Sequence, residues 1–69
     1  MPIQHKKKYG VYHWDTFDNE TILLYQSVSL DKCVEFVDKK YADRLRQNGA
    51  DRVEVVDDKG KIVRSWNVG

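Results

Sequence analysis

Cysteine is nearly absent from the sequence, because Cys33 is the only one. A single cysteine cannot form a disulfide within the chain, which excludes a disulfide-stapled secreted mini-domain and favours a reducing cytoplasm. Long apolar runs are missing as well: none approaches the ~18 residues that a membrane helix needs, and residues 1–8 lack the apolar stretch of a signal peptide. We therefore expect a cytoplasmic protein without a membrane partner.

An excess of charge of one sign is also missing. Twelve Lys and Arg residues face eleven Asp and Glu residues, for a formal net charge of +1, whereas most autonomous nucleic-acid-binding domains are strongly basic. Lys6, Lys7 and Lys8 supply three of the twelve cations, so the rest of the chain is slightly acidic. These lysines are possible phosphate contacts, but a short basic tail is more often a solubilising segment.

The composition that remains is typical of a folded domain. The chain has one proline, and 41% of its 69 residues are hydrophobic and 33% charged, which argues against disorder. A chain of this length buries only about 60% of the surface that its unfolded form exposes, so the core must be thin. We predict a flexible basic arm over residues 1–7 and a single domain over residues 8–69.

Residues with high strand propensity predict two hairpins. Aromatic and β-branched residues favour strands over 8–14 and 21–28, joined by a long acidic loop with Phe17 in its middle. Alternation over 52–56 and over 61–68 predicts the second pair. Their turn, residues 57–60, is predicted to hold Gly60 in the left-handed conformation and to place Asp57 opposite Lys61.

Between the hairpins the hydrophobic period changes to that of a helix. The residues at three- and four-residue steps are Leu30, Cys33, Val34, Val37, Tyr41 and Leu45. They predict a helix over about residues 30–48 with Ser29 as its N-cap and with Asn48 and Gly49 as a left-handed stop. The layout is therefore β-β-α-β-β, an α+β two-layer sandwich in which one helix packs on an antiparallel sheet of two hairpins.

The order of these elements resembles a family of short, uncharacterised bacterial and phage proteins with a β-β-α-β-β plan. The matching positions are Tyr12 or Trp14 in the first strand, the helix from Ser29, Gly49 and Ala50, the valines of the third strand, and Asp58, Gly60 and Ile62 at the last turn. The resemblance covers about residues 9–63, and this chain departs from it by a longer first loop and by a last strand that continues through Trp66. That family has no assigned function, so the resemblance implies a fold and no site residues.

Residues that could carry catalysis form no catalytic pattern. Cys33 lies in the apolar stripe of the helix, where cysteine behaves as a small hydrophobic residue. His5 and His13 are eight residues apart and match no metal-ligand spacing, and the glycines form no phosphate-binding loop. We therefore expect a protein that is not an enzyme and that has no cofactor, metal or small-molecule substrate.

A single helix covers only one face of a four-stranded sheet, so the other face should stay open. The predicted turn pairs Glu54 with Arg64 and Arg52 with Trp66, which places Val53 and Val55 on the opposite face with Val63 and Ser65. We expect some of the following residues to remain on the open side: Tyr12, Trp14, Tyr25, Val56, Ile62 and Trp66. An aromatic patch of this kind on a small protein is typical of a contact surface.

Three interpretations of this patch remain open. The arm and loops could fold over it, including Phe17 and the stem of Arg64, and make it part of the core. It could mediate protein binding or homodimerisation, which we favour because Trp, Tyr and Arg concentrate interface energy; the candidate residues are Tyr12, Trp14, Arg52, Arg64 and Trp66. It could instead stack single-stranded nucleic acid, with Lys6, Lys7 and Lys8 at the phosphates, although several nearby carboxylates oppose this.

Overall fold

Four strands form one antiparallel sheet, and a single helix packs on one of its faces. The strands are β1 (Tyr9–Asp15), β2 (Glu20–Ser27), β3 (Asp51–Val56) and β4 (Ile62–Val68), and the helix is α1 (Leu30–Lys40). The computed structural model describes residues 4–45 and 49–68. The predicted α+β class and the β-β-α-β-β order are confirmed.

The two hairpins lie side by side through their first strands. The strand order is β2-β1-β3-β4, and β1 pairs antiparallel with β3 from Gly10 opposite Val56 to Trp14 opposite Arg52. The helix therefore carries the chain from the edge strand β2 over β1 to β3. The core lies between the helix and the central strands, and its buried residues are Val11, Cys33, Val37, Tyr41, Val53, Val55 and Val68.

The helix begins as predicted and ends earlier than predicted. The Ser29 side chain accepts a hydrogen bond from the Lys32 backbone N–H, and Tyr41 is the C-cap, whose N–H donates to the Val37 carbonyl. The predicted end near residue 48 was wrong, because Leu45 forms an isolated bridge with Val68 and a residue paired in this way cannot continue a helix. Within the described residues, no helix is long and apolar enough to cross a membrane.

The helix stop was predicted at Asn48 and Gly49, of which the structure describes only Gly49. Asn48 lies outside the described residues. Gly49 does not have a positive φ, unlike Gly60, so it is not a left-handed cap. A Cβ at Gly49 would instead lie 2.4 Å from the backbone carbonyl of Val68. Glycine at this position therefore permits the close approach of two backbone segments.

The turn between β3 and β4 has the predicted geometry. Gly60 has a φ of 83°, and the Asp57 N–H donates to the Lys61 carbonyl over 2.9 Å. The Asp57 carboxylate also accepts hydrogen bonds from the backbone N–H groups of Lys59 and Lys61, at 2.9 and 2.8 Å. These two hydrogen bonds, with that of Lys61 as the larger cause, lower the pKa of Asp57.

The register beyond this turn differs from the prediction by one residue. Val56 lies opposite Ile62 as predicted, but the next pair is Val55 with Arg64, so Val63 forms a bulge. Trp66 then lies opposite Val53 instead of Arg52. Because directly paired residues point to the same side of a sheet, Arg64 and Trp66 lie on the helix face, where Trp66 packs against the core.

A second bulge in the other edge strand has the same consequence. Val11 lies opposite Tyr25 and Tyr12 lies opposite Leu23, so Leu24 is the extra residue of β2. Tyr25 therefore lies on the helix face, where its ring stacks on Phe36 with centroids 4.7 Å apart. Tyr25 and Trp66 were two of the candidates for the open side, and a bulge places each of them on the helix face instead.

Candidate interaction surface

The sheet face opposite the helix, which we call the open face, is formed mainly by β1 and β3. Its residues in the central strands are Gly10, Tyr12, Trp14, Arg52, Glu54 and Val56, and Leu23 and Ile62 continue it on the edge strands. Among the four strands, Glu54 is its only carboxylate, and it is only 2% exposed. The open face thus combines aromatic, aliphatic and cationic side chains.

A groove on the open face runs along β3, from the β1–β2 turn to Ile62 at the start of β4. Its lining residues are Trp14, Asn19, Thr21, Arg52, Glu54 and Ile62, and its volume is about 270 Å³. The Arg52 guanidinium lies over the Trp14 ring, 6.0 Å from the centroid, and Ile62 is 49% exposed. An indole, an aliphatic side chain and a stacked arginine together suit an apolar group that carries negative charge beside it.

The β1 and β2 side of the open face is covered by residues 4–7, which we call the N-terminal strap. The backbone N–H groups of Gln4 and His5 donate to the Tyr12 hydroxyl over 2.9 and 3.0 Å. Those of Lys6 and Lys7 donate to the side-chain carbonyl of Gln26 over 2.8 and 3.2 Å. Residues 4–7 of the predicted flexible arm are thus hydrogen bonded to β1 and β2.

The His5 ring packs directly on the backbone of β1. It is only 6% exposed, and a Cβ at Gly10 would lie 2.6 Å from two of its ring atoms. Its Nδ1 lies 2.6 Å from the Tyr12 hydroxyl. A glycine inside a strand often marks such a close approach, so Gly10 was the one signal in the sequence from which the covered position could have been found.

The structure places the predicted site residues on different parts of the molecule. Trp14 and Arg52 lie together in the groove on the open face. Tyr12 shares that face but is 1% exposed, because the strap covers it. Arg64 and Trp66 lie on the helix face, and Arg64 is exposed and donates to the Val63 carbonyl. The side chains of Lys6, Lys7 and Lys8 are exposed.

Phe17 does not cover the open face. It is 93% exposed at the tip of the β1–β2 turn. The turn is short and ordered, since Asp15 pairs with Glu20 and the Asp15 carboxylate accepts hydrogen bonds from the N–H groups of Phe17 and Asp18. The long loop predicted for this segment is therefore a tight turn of residues 16–19.

A polar cluster on the helix face was not predicted from the sequence. His13 Nδ1 lies 2.7 Å from the Tyr41 hydroxyl, and its Nε2 lies 3.1 Å from the Asp51 carboxylate. The other carboxylate oxygen of Asp51 accepts hydrogen bonds from the N–H and hydroxyl of Thr16. Tyr41 and Asp51 lie 28 and 38 positions after His13 in the sequence, so no local spacing could have indicated the cluster.

Two residues of the cluster, Asp51 and Tyr41, have shifted pKa values, and the cluster links four parts of the fold. The hydrogen bond from His13, followed by that from the Thr16 backbone, lowers the pKa of Asp51. Burial raises the pKa of Tyr41, opposed by the nearby charge of Arg44. Both ring nitrogens of His13 are occupied, and Tyr41 is almost fully buried. The arrangement ties the helix end and the β1–β2 turn to the start of β3.

Reactive side chains elsewhere are buried or dispersed. Cys33 lies in the core, where burial raises the pKa of its thiol against a weaker opposing effect of a Ser27 backbone hydrogen bond. In the parts of the chain that the structure describes, no three His, Cys, Asp or Glu side chains come close enough together to hold a metal ion.

The fold and the open face together define a small α+β protein in which the helix covers one sheet face and the N-terminal strap covers part of the other. A scan against protein-family models, a search of curated proteins and a search of solved structures gave no match to this chain. The resemblance described above stays a prediction, and the function is inferred from the geometry of the open face.

Proposed function

We propose that this protein is a non-catalytic, cytoplasmic interaction module that binds protein, including a second copy of itself, through the groove on its open face. The observation that carries the proposal is the stacked pair of the half-buried Trp14 and the exposed Arg52 beside the half-exposed Ile62. Trp and Arg are the residues most enriched among interface hot spots, and they act in pockets from which water is excluded.

The shape of the molecule supports this proposal. The molecule measures 28 × 24 × 15 Å, so a sandwich of one sheet and one helix presents the open face as one of its broad sides.

The proposal is tested by the solution mass of the wild-type protein and of Trp14→Ala, measured by light scattering over a range of concentrations. We expect a concentration-dependent rise in mass for the wild type and at least about fivefold weaker association for Trp14→Ala, because a buried tryptophan anchor contributes more than about 1 kcal/mol. Val28→Ser, at an exposed apolar position outside the strands, is the matched control and should associate normally. A wild-type mass that stays monomeric at every concentration would contradict self-association.

Binding of single-stranded nucleic acid is the second candidate. Its support is the exposure of Lys6, Lys7 and Lys8 next to a face that carries Trp14, a residue on which a base could stack. The buried carboxylate of Glu54 on that face and the near-neutral chain oppose it. This candidate predicts that a short oligonucleotide raises the mass at low salt.

The matched variant for this candidate replaces all three lysines by glutamine. These substitutions remove the charges and leave the backbone hydrogen bonds from Lys6 and Lys7 to Gln26 in place. Nucleic-acid binding predicts that the triple variant loses the oligonucleotide-dependent mass and its salt dependence. Protein binding alone predicts that neither the wild type nor the triple variant responds to the oligonucleotide.

A further inference from the structure

The hydrogen bonds at the Tyr12 hydroxyl determine which proton His5 carries. A tyrosine hydroxyl has one proton to donate and room for two incoming donors. The N–H groups of Gln4 and His5 occupy both acceptor positions. The hydroxyl proton must therefore point to the third neighbour, Nδ1 of His5, at 2.6 Å, and Nδ1 must be the acceptor in this contact.

This assignment leaves the other ring nitrogen in an unfavourable position. If Nδ1 accepts, the proton of the neutral ring is on Nε2, and Nε2 is buried with no hydrogen-bond partner among residues 4–45 and 49–68. A buried donor without an acceptor destabilises the state in which it is buried. In the docked position of the strap, the neutral ring of His5 therefore carries one unsatisfied N–H group.

Protonation of His5 makes the docked position worse at both nitrogens. A proton added at Nδ1 would face the Tyr12 hydroxyl, whose two acceptor positions are filled. Nδ1 could then no longer accept the hydrogen bond from Tyr12, and the new N–H group would have no acceptor there. The charged ring would also be buried, which disfavours it unless it is paired.

The charged groups around His5 do not compensate for this. Lys6, Lys7 and Lys8 follow it directly, so a protonated ring adds a fourth positive charge. On β1 the facing titratable group is Tyr12, and on β2 the neighbours Gln26 and Leu23 carry no charge. On β3, Glu54 lies opposite Tyr12. Among the described residues, neither Glu54 nor any other carboxylate forms an ion pair with His5.

We propose that the N-terminal strap is a pH-sensitive cover of the open face, which protonation of His5 releases. Release exposes Tyr12, which lies two residues from Trp14 on β1 and opposite Glu54, so the groove is extended along the sheet. The inference rests on the proposed function in one respect: the release changes binding only if the protein binds through the open face. The release itself is independent of any partner.

The test is the ¹H–¹⁵N NMR spectrum of the uniformly labelled full chain between about pH 7.5 and about pH 5, the range in which histidine changes charge. We expect the amide peaks of residues 4–7 to move to random-coil positions together as the pH falls, while the peaks of the central strands stay in place. Amide peaks of the strap that keep their docked positions down to about pH 5 would overturn the proposal.

Three variants assign the transition to one histidine. His5→Asn keeps an acceptor near Nδ1 and cannot titrate, so its strap should stay docked throughout the range. Tyr12→Phe removes the common hydroxyl, so its strap should be released at every pH. His13→Gln is the control for the other histidine and should keep the wild-type transition, and a transition that persists in His5→Asn or disappears in His13→Gln would also overturn the proposal. Unchanged strand peaks verify that each variant is folded.

The same samples separate this inference from the proposed function. Light scattering should give stronger association at about pH 5 than at about pH 7.5 for the wild type, and no difference for His5→Asn. Strap peaks that move without a change in association support the pH-sensitive cover and count against binding through the open face.

Discussion

At the scale of single residues, Gly10 and His5 determine how much of the open face is covered. Any side chain at position 10 would meet the His5 ring at 2.6 Å. We expect Gly10→Ala to displace the strap at neutral pH, because the ring of His5 can move away whereas the strand backbone is held on both sides by β2 and β3.

The measurement is the amide spectrum of Gly10→Ala at neutral pH, compared with that of the Ala42→Gly control at an exposed position after the helix. The strap peaks should shift to random-coil positions in Gly10→Ala only. A docked strap in Gly10→Ala would mean that the close contact between Gly10 and His5 is not what positions the segment.

Asp51 should make stability depend on pH in the acid range. Its pKa in the folded state lies below the ordinary value of 3.8, so folding favours the ionised form. This stabilisation is complete above the unfolded-state pKa and is lost as the pH falls through the folded-state pKa. Asp51→Asn should be less stable than the wild type near neutral pH, and the difference should shrink below about pH 4.

Urea unfolding of both proteins at a series of pH values measures this difference. A stability difference that stays constant down to about pH 2 would show that the carboxylate of Asp51 has no net charge-dependent interaction with His13. Asp58→Asn is the control, since Asp58 is exposed on the β3–β4 turn and should not alter the acid dependence.

At the scale of elements, local turn chemistry was predictable and strand register was not. Gly60 and Asp57 belong to a short segment whose own residues determine the turn, and the turn was predicted correctly. The bulges at Leu24 and Val63 depend instead on how the edge strands pack on the whole core. No single residue in the sequence indicates these bulges. Each bulge moves every later residue of its strand to the opposite face of the sheet.

The helix end illustrates the same limit. The apolar spacing of Tyr41 and Leu45 continues past the last helical residue, because the turn after Lys40 keeps both side chains towards the core. The bridge between Leu45 and Val68 is a contact between distant parts of the chain. A pattern read over a short window contains no information on it.

The register makes a direct prediction for Trp66. Because its ring packs against the core from the helix face, Trp66→Ala should lower the free energy of unfolding by about 2 kcal/mol, less than for a fully buried aromatic residue. Trp14→Ala, in the groove, should lower it by less. Equal losses in urea unfolding would indicate that the two tryptophans do not differ in their contribution to the core.

The β3–β4 turn is testable through its one left-handed residue. Gly60 has a φ of 83°, a conformation that costs a residue with a Cβ about 1 kcal/mol. Gly60→Ala should therefore reduce the free energy of unfolding by about that amount, and Gly60→Asn by less, because asparagine tolerates this conformation. Urea unfolding of the pair measures both, and no loss in Gly60→Ala would contradict the assigned turn.

At the scale of the whole molecule, one helix and one sheet leave a broad face without a second layer. That much followed from the length and the element order. Strand alternation made Trp14 a candidate for the open face, where it lies opposite Arg52, but it could not tell which face the helix covers. The strap was not foreseen, because residues 4–7 have no periodicity and their contacts are made by backbone N–H groups. Backbone donors are present in every sequence and so carry no signal.

The most direct test of the open face as the binding surface compares two exposed arginines. Arg52 lies in the groove and Arg64 on the helix face, so Arg52→Ala and Arg64→Ala remove the same charge from opposite sides of the sheet. Light scattering over a concentration series should give association at least about fivefold weaker for Arg52→Ala, equivalent to about 1 kcal/mol, and wild-type association for Arg64→Ala. Equal association of the two variants would contradict binding through the open face.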